Sequence, residues 1–171
     1  MMAGLFTALW LLFWLLACGT LQALAPAWRH MGHPSFPFLL GVVLYAAYNK
    51  KRRWFFAAVL LTALLADSLS LAPLGTSALA FLAAGAVAML LRIPLRTDKI
   101  RTLLLAGALC SAVATGVMAL TLRAKGIEFA GADAVGRRVA GSALLGAATV
   151  PLLFAAMRWM ERLLGIWEDR D

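Results

Sequence analysis

Charged residues are scarce in this chain. They make up 14% of its 171 residues, whereas a soluble domain has about a quarter, and hydrophobic residues make up 63%. A globule of this size buries only about 70% of its unfolded surface, so the remaining apolar surface must contact lipid or other proteins, of which lipid is the simpler answer. Because hydrocarbon offers the backbone no hydrogen-bond partners, the long apolar runs predict membrane-spanning helices.

The sequence also lacks the motifs of common catalytic and cofactor sites. It has no Walker loop, GxGxxG or GxSxG. Cys18 and Cys110 lie in apolar runs without CxxC or Cys/His spacing, which predicts free, buried thiols. His30 and His33 have no acid or cysteine nearby, so interfacial histidines are favoured over metal ligands. We therefore expect no enzyme activity, no catalytic residues and no cofactor or metal site.

Basic residues outnumber acidic ones by 16 to 8, which gives a formal net charge of +8. They stand in short clusters between apolar runs. Such clusters are typical of loops that face an anionic membrane leaflet, so we expect contact with the lipid bilayer and none with nucleic acid.

Apolar runs of roughly 20 residues suffice to cross a hydrocarbon core about 30 Å thick. The chain is predicted to form a single membrane domain over 1-171. A tight hairpin after Asp67 divides the long apolar stretch from Trp54 to Leu91 into two crossings. The predicted fold is an all-α integral membrane protein, a compact bundle of six transmembrane helices at approximately 4-26, 35-49, 54-70, 75-91, 102-122 and 139-160. The second range is short, so that helix either tilts little, thins the bilayer locally or is shielded by its neighbours.

Lys and Arg residues in short loops set the orientation of such a bundle, because they resist translocation. With six crossings, the side that holds both termini carries eleven of them. The opposite side carries five, which are Arg29, Arg123, Lys125, Arg137 and Arg138. We therefore expect both the N and C termini in the cytoplasm. A five-helix arrangement that keeps the fifth connector inside is the alternative.

Asp67 is the only charged residue between Trp54 and Leu91. An ionisable residue near a membrane span is costly and often functional. Its position before Ser68, Ser70 and a Pro-Leu-Gly sequence favours a structural role in the hairpin, and a polar contact with a partner's transmembrane helix is the alternative. Proton or ion coupling is disfavoured, because no second membrane-embedded carboxylate, Lys or His is available for a relay.

Small residues are frequent on the later helices, where close backbone approach favours helix association in lipid. They are Gly75, Ala78, Ala83, Ala84, Gly85, Ala88, Ala106, Gly107, Ala114, Gly116, Gly141, Gly146 and Ala147. The sequence leaves open whether they pack within the bundle or against a partner.

The hairpin segment at 65–79 reads LADSLSLAPLGTSAL. It resembles the D-x-x-S-x-x-P-L-G-x-x-A-L region of the rod-shape-determining protein MreD family. The chain length, the short second span before a basic cluster and the Pro-containing last helix extend the resemblance over nearly the whole chain. Asp67, Pro73, Leu74 and Gly75 are therefore candidates for structural or partner contacts.

The resemblance implies a non-catalytic subunit of the bacterial cell-elongation complex, the elongasome, in the inner (cytoplasmic) membrane. Such a multi-pass subunit binds the bitopic protein MreC and helps to link the MreB cytoskeleton to peptidoglycan synthesis by RodA and its penicillin-binding protein. MreD-like proteins are also distantly similar to substrate-binding components of energy-coupling-factor transporters. The alternative function is therefore a transporter subunit that binds a small, vitamin-like molecule, although the predicted bundle has few polar residues to orient one.

Overall fold

The computed structural model describes residues 2–25, 36–69, 75–92, 100–126 and 131–164, and every regular element in these ranges is an α-helix. The helices are α1 (Met2–Leu24), α2 (Phe38–Asn49), α3 (Arg52–Leu69), α4 (Thr76–Arg92), α5 (Ile100–Ala124) and α6 (Ala132–Leu164). The prediction of an all-α fold is therefore confirmed for the described part of the chain.

Three helices are long and apolar enough to cross a membrane, at Phe6–Leu24, Ile100–Ala124 and Asp133–Leu164. Two further apolar helices are shorter, Phe38–Asn49 and Thr76–Leu91. Large apolar side chains cover the outer faces of several helices; for example, Leu105 is 66% exposed. Outer faces of this kind suit contact with lipid, because a soluble surface rarely exposes so much contiguous apolar area.

The short helix α2 lies at the centre of the bundle and packs against α1, α3, α4 and α6. Its 12 residues span only about 18 Å at a rise of 1.5 Å per residue. Residues 39–48 are all buried. Of the three arrangements expected for a short second helix, the structure therefore shows shielding by neighbouring helices.

Consecutive helices run in opposite directions. Gln22, near the end of α1, accepts a hydrogen bond from the Leu39 backbone N–H at the start of α2, at 3.2 Å. Lys50, which follows α2, lies over the ring of Trp10 in the first half of α1. The bundle therefore has two ends. The Lys50 end holds the starts of α1, α3 and α5 and the ends of α2, α4 and α6, and the opposite end is called the Asp67 end.

Helix α6 begins at Ala132, although the sequence predicts that the fifth connector continues to Arg138 and that the last helix begins at 139. The charged residues that suggest a loop are compatible with a helix end. Asp133 lies in the first turn, where a negative charge is favourable beside the helix dipole, and Arg137 is exposed. α6 also continues through Pro151 as one helix of 33 residues.

The seam between α5 and α6 is built from small residues. A Cβ atom added to Gly146 would overlap the Ser111 Oγ and would lie 2.6 Å from the Gly107 carbonyl oxygen, so only glycine fits there without a shift of the backbone. Ala84, Ala88 and Ala106 are also buried in the core. Much of the small-residue surface is therefore used inside the chain.

Candidate functional site

Asp67 lies near the end of α3, and its carboxylate binds the start of α4. Its Oδ2 accepts a hydrogen bond from the Gly75 backbone N–H at 2.6 Å, and its Oδ1 accepts one from the Ser77 backbone N–H at 3.2 Å. The residue is only 5% exposed. Asp67 thus satisfies backbone N–H groups that the start of a helix leaves without intrahelical partners.

Gly75 is the N-cap residue of α4, because its carbonyl oxygen accepts the hydrogen bond of the Leu79 N–H. Its φ of +89° lies in the left-handed region that favours glycine. A glycine has no side chain with which to cap a helix. Asp67 supplies the missing oxygen atoms from the preceding helix, and its negative charge is favourable beside the positive end of the α4 dipole.

The structure brings two of the four candidate contact residues, Asp67 and Gly75, together in this capped turn. Pro73 and Leu74 lie outside the described residues, as do His30 and His33. Contact between the turn and a partner's helix stays a prediction.

Lys125 connects the same turn to the end of α5. Its Nζ donates a hydrogen bond to the Thr76 Oγ1 at 3.0 Å, and Thr76 is fully buried. Three helices, α3, α4 and α5, are therefore joined at the Asp67 end by polar contacts.

A second group of polar side chains lies at the Lys50 end, where α1, α2 and α6 meet. Lys50 Nζ forms an ion pair with Glu161 Oε1 at 3.0 Å, and the Tyr45 hydroxyl donates a hydrogen bond to Glu161 Oε2 at 2.5 Å. Lys50 Nζ also lies 5.0 Å from the centroid of the Trp10 ring, within cation–π range. We call Trp10, Tyr45, Lys50 and Glu161 the ionic cluster.

The ionic cluster is largely shut off from solvent, since the side chains of Lys50 and Glu161 are 3% and 17% exposed. Tyr45 packs between two rings, with centroid distances of 5.4 Å to Trp10 and 5.1 Å to Phe154. A buried ion pair is tolerated only where further contacts offset the loss of hydration. Here the tyrosine hydroxyl and the indole ring supply those contacts.

Sequence reasoning missed the ionic cluster. It placed Lys50 in the basic cluster after the short second span and ended the last helix at 160, just before Glu161. Tyr45 and Glu161 are 116 positions apart. No local pattern pairs residues at that separation. The available signal was Glu161 itself, which is the only acidic residue between 134 and 167.

Both groups of polar residues join helices. Cys18 and Cys110 are free and buried, as predicted. Within the described residues, no group of three or more His, Cys, Asp or Glu side chains is arranged to hold a metal ion.

A groove of about 270 Å³ between α1 and α6 is lined by apolar and aromatic residues, Phe6, Leu9, Trp10, Phe13, Met160 and Leu164. This groove has no charged group in its lining to orient a polar solute.

No family model matches the chain, and no matching protein is found among curated proteins or among solved structures.

Proposed function

We propose that this chain is a non-catalytic subunit of the bacterial cell-elongation complex that works by binding other membrane proteins, as its resemblance to the MreD family implies. In this proposal all six helices cross the cytoplasmic membrane, and both termini lie in the cytoplasm. The direct partner is an MreC-like bitopic protein. RodA and its penicillin-binding protein extend the assembly towards peptidoglycan synthesis.

One observation carries the proposal: the buried carboxylates of the described bundle serve to join helices. Asp67 caps α4 through backbone N–H groups, and Glu161 links α6 to α2 through Lys50. A chain that uses its buried charges in this way presents partners with a bundle of fixed geometry. A fixed helical surface is what a binding subunit needs, because helix association in lipid depends on close packing.

The arrangement of the helices supports six crossings. Helix ends alternate between the Lys50 end and the Asp67 end, and the short α2 is enclosed by other helices. The exposed residues Lys51, Arg52 and Arg53 lie at the Lys50 end, as a cytoplasmic loop requires.

Gly107 of α5 and Gly146 of α6 face each other, so these small residues are used inside the bundle. The outer faces of the helices are therefore the surfaces left for a partner's transmembrane helix. On α1, large apolar side chains point outwards; they include Leu9, Phe13 and Leu16, which are each slightly more than half exposed. The capped turn fixes α3 against α4. A change in that turn therefore alters the outer surface that both helices present.

Co-purification with a tagged MreC-like protein in detergent tests the proposal. We expect the wild-type chain to co-purify with the partner in a fixed ratio. Asp67→Ala and Pro73→Ala should weaken that association. Ser68→Ala should preserve it, because within the described residues the exposed Ser68 hydroxyl donates a hydrogen bond only to the Leu65 carbonyl oxygen of its own helix. Size-exclusion profiles of each variant identify those that have lost the fold.

Failure of the wild-type chain to co-purify would contradict the proposal, as would unchanged association of both turn variants. Saturable, stoichiometric binding of a vitamin-like compound by the isolated chain would instead support the transporter-subunit alternative.

A further inference from the structure

The exposed charges that the structure describes at the Lys50 end are of one sign. Among the described residues, the exposed charged side chains at this end are all basic; they are Lys51, Arg52, Arg53, Arg101 and Arg162. We call these five side chains the basic rim. The only carboxylate described at this end is that of Glu161, which Lys50 and Tyr45 hold within the bundle. The ionic cluster therefore withdraws a negative charge from the surface that carries the rim.

The Asp67 end differs in its exposed charges. Arg123, Lys125 and Arg137 are exposed there, and so is the acidic Asp133. Its surface therefore carries mixed charge, and any preference for an anionic surface should be weaker than that of the basic rim.

Aromatic rings lie beside two arginines of the rim. The guanidinium carbon of Arg52 lies 5.6 Å from the centroid of the Phe56 ring, and that of Arg53 lies 5.7 Å from the centroid of the Trp54 ring. Aromatic side chains at helix ends favour the region between the acyl chains and the headgroups of a bilayer. These contacts therefore place the two guanidinium groups beside rings of the kind that favours this region.

Arg158 adds positive charge behind the rim. One terminal nitrogen of its guanidinium group is buried and has no hydrogen-bond partner within the described ranges. The described carboxylates at this end thus leave positive charge uncompensated. Guanidinium groups bind phosphate oxygens with paired hydrogen bonds, which makes a phosphate headgroup a suitable counterpart.

We propose that the basic rim is a docking surface for the phosphate headgroups of anionic phospholipids, and that the pairing of Glu161 with Lys50 keeps the one carboxylate described at this end away from it. The inference rests on the membrane placement in the proposed function, and it does not depend on which protein partner the chain binds. Basic side chains close to an anionic leaflet each contribute to the attraction, and the attraction falls as salt rises.

Native mass spectrometry of the full chain released from nanodiscs provides the test. The nanodiscs contain equal amounts of phosphatidylglycerol and phosphatidylcholine, and the retained lipids are counted. We expect retained phosphatidylglycerol to exceed phosphatidylcholine, and we expect Arg52→Gln/Arg53→Gln to lower this enrichment about tenfold. The matched variant Arg123→Gln/Arg137→Gln, at the Asp67 end, should lower it by less than about twofold, close to the small effect of isolated surface charges.

Two further measurements use the wild-type chain, so the test survives a variant that does not fold. Raising the salt concentration during nanodisc assembly should reduce the enrichment, and added inorganic phosphate should leave it unchanged at matched ionic strength. Equal retention of the two lipids, equal losses in both double variants, no response to salt, or competition by inorganic phosphate would each overturn the proposal.

An acidic protein segment is the competing occupant of the rim. If Arg52→Gln/Arg53→Gln keeps the lipid enrichment but no longer co-purifies with the MreC-like protein, the rim binds protein and the lipid proposal is wrong. If enrichment is found while the wild-type chain fails to bind that protein, the lipid site stands and the proposed scaffold function fails.

Discussion

The two ends of the bundle hold their buried carboxylates in different ways. Asp67 binds backbone N–H groups 8 and 10 residues further along the chain, whereas Glu161 binds the hydroxyl of Tyr45, 116 positions away. The first contact needs only the hairpin of α3 and α4. The second needs three helices in place. We infer that Asp67 stabilises one turn, whereas the ionic cluster stabilises the packing of the whole bundle.

The largest effect in this comparison is expected at the Lys50 end. Lys50→Met leaves Glu161 without its counter-charge, and we expect the free energy of unfolding to fall by about 3 kcal/mol. The value lies at the low end of the range for buried pairs because Glu161 is 17% exposed. Reversible unfolding in mixed detergent micelles measures it.

The double variant Lys50→Met/Glu161→Leu is the control, because an apolar pair removes the unpaired charge. It should recover most of the stability that the single variant loses. An exposed salt bridge contributes at most about 1 kcal/mol. If Lys50→Met lowers the free energy of unfolding by less than this, the Lys50–Glu161 pair is solvated, and the proposed difference in stabilisation between the two ends is wrong.

A smaller loss is expected at the Asp67 end. Asp67→Ala leaves two N–H groups at the start of α4 without their acceptor, and we expect the free energy of unfolding to fall by about 2 kcal/mol. Asp67→Asn keeps one acceptor oxygen and should lose less. The same unfolding measurement checks both variants. A loss in Asp67→Ala larger than that in Lys50→Met would reverse the comparison.

The uncharged seam between the two ends should show the smallest loss. In Gly146→Ala the new methyl group meets the Gly107 carbonyl oxygen, a backbone atom that cannot rotate away, and we expect the free energy of unfolding to fall by about 1 kcal/mol, the low end of the range for overpacking. Gly116 is the matched control, since nothing lies within 4 Å of its Cβ position. Gly116→Ala should leave the free energy of unfolding unchanged or raise it by up to about 1 kcal/mol, because alanine has the higher helix propensity. Equal unfolding free energies for the two variants would contradict the close packing of α5 against α6 at Gly146.

The same contrast explains what the sequence made predictable. Apolar runs and the residues that interrupt them predicted an all-helical chain, because helix formation in an apolar run is a local property. A structural role for Asp67 in the hairpin was also predictable, because an Asp shortly before a Pro-Leu-Gly sequence is typical of a turn.

Two features were not predictable from local patterns. The pairing of Lys50 with Glu161 depends on how α2 packs against α6, which spacing along the chain does not encode. The early start of α6 was missed because Asp133 and Arg137 were interpreted as loop residues. Charged residues near a membrane surface are equally compatible with a helix that extends beyond the hydrocarbon core.

Cysteine labelling in spheroplasts tests most directly whether the two ends lie on opposite sides of one membrane. Lys51→Cys and Arg137→Cys place exposed thiols at the Lys50 end and the Asp67 end, and the native Cys18 and Cys110 are 0% exposed. With a membrane-impermeant maleimide, we predict labelling of Arg137→Cys in intact spheroplasts and of Lys51→Cys only after lysis. Labelling of Lys51→Cys in intact spheroplasts, or protection of both thiols until lysis, would contradict the six-crossing bundle.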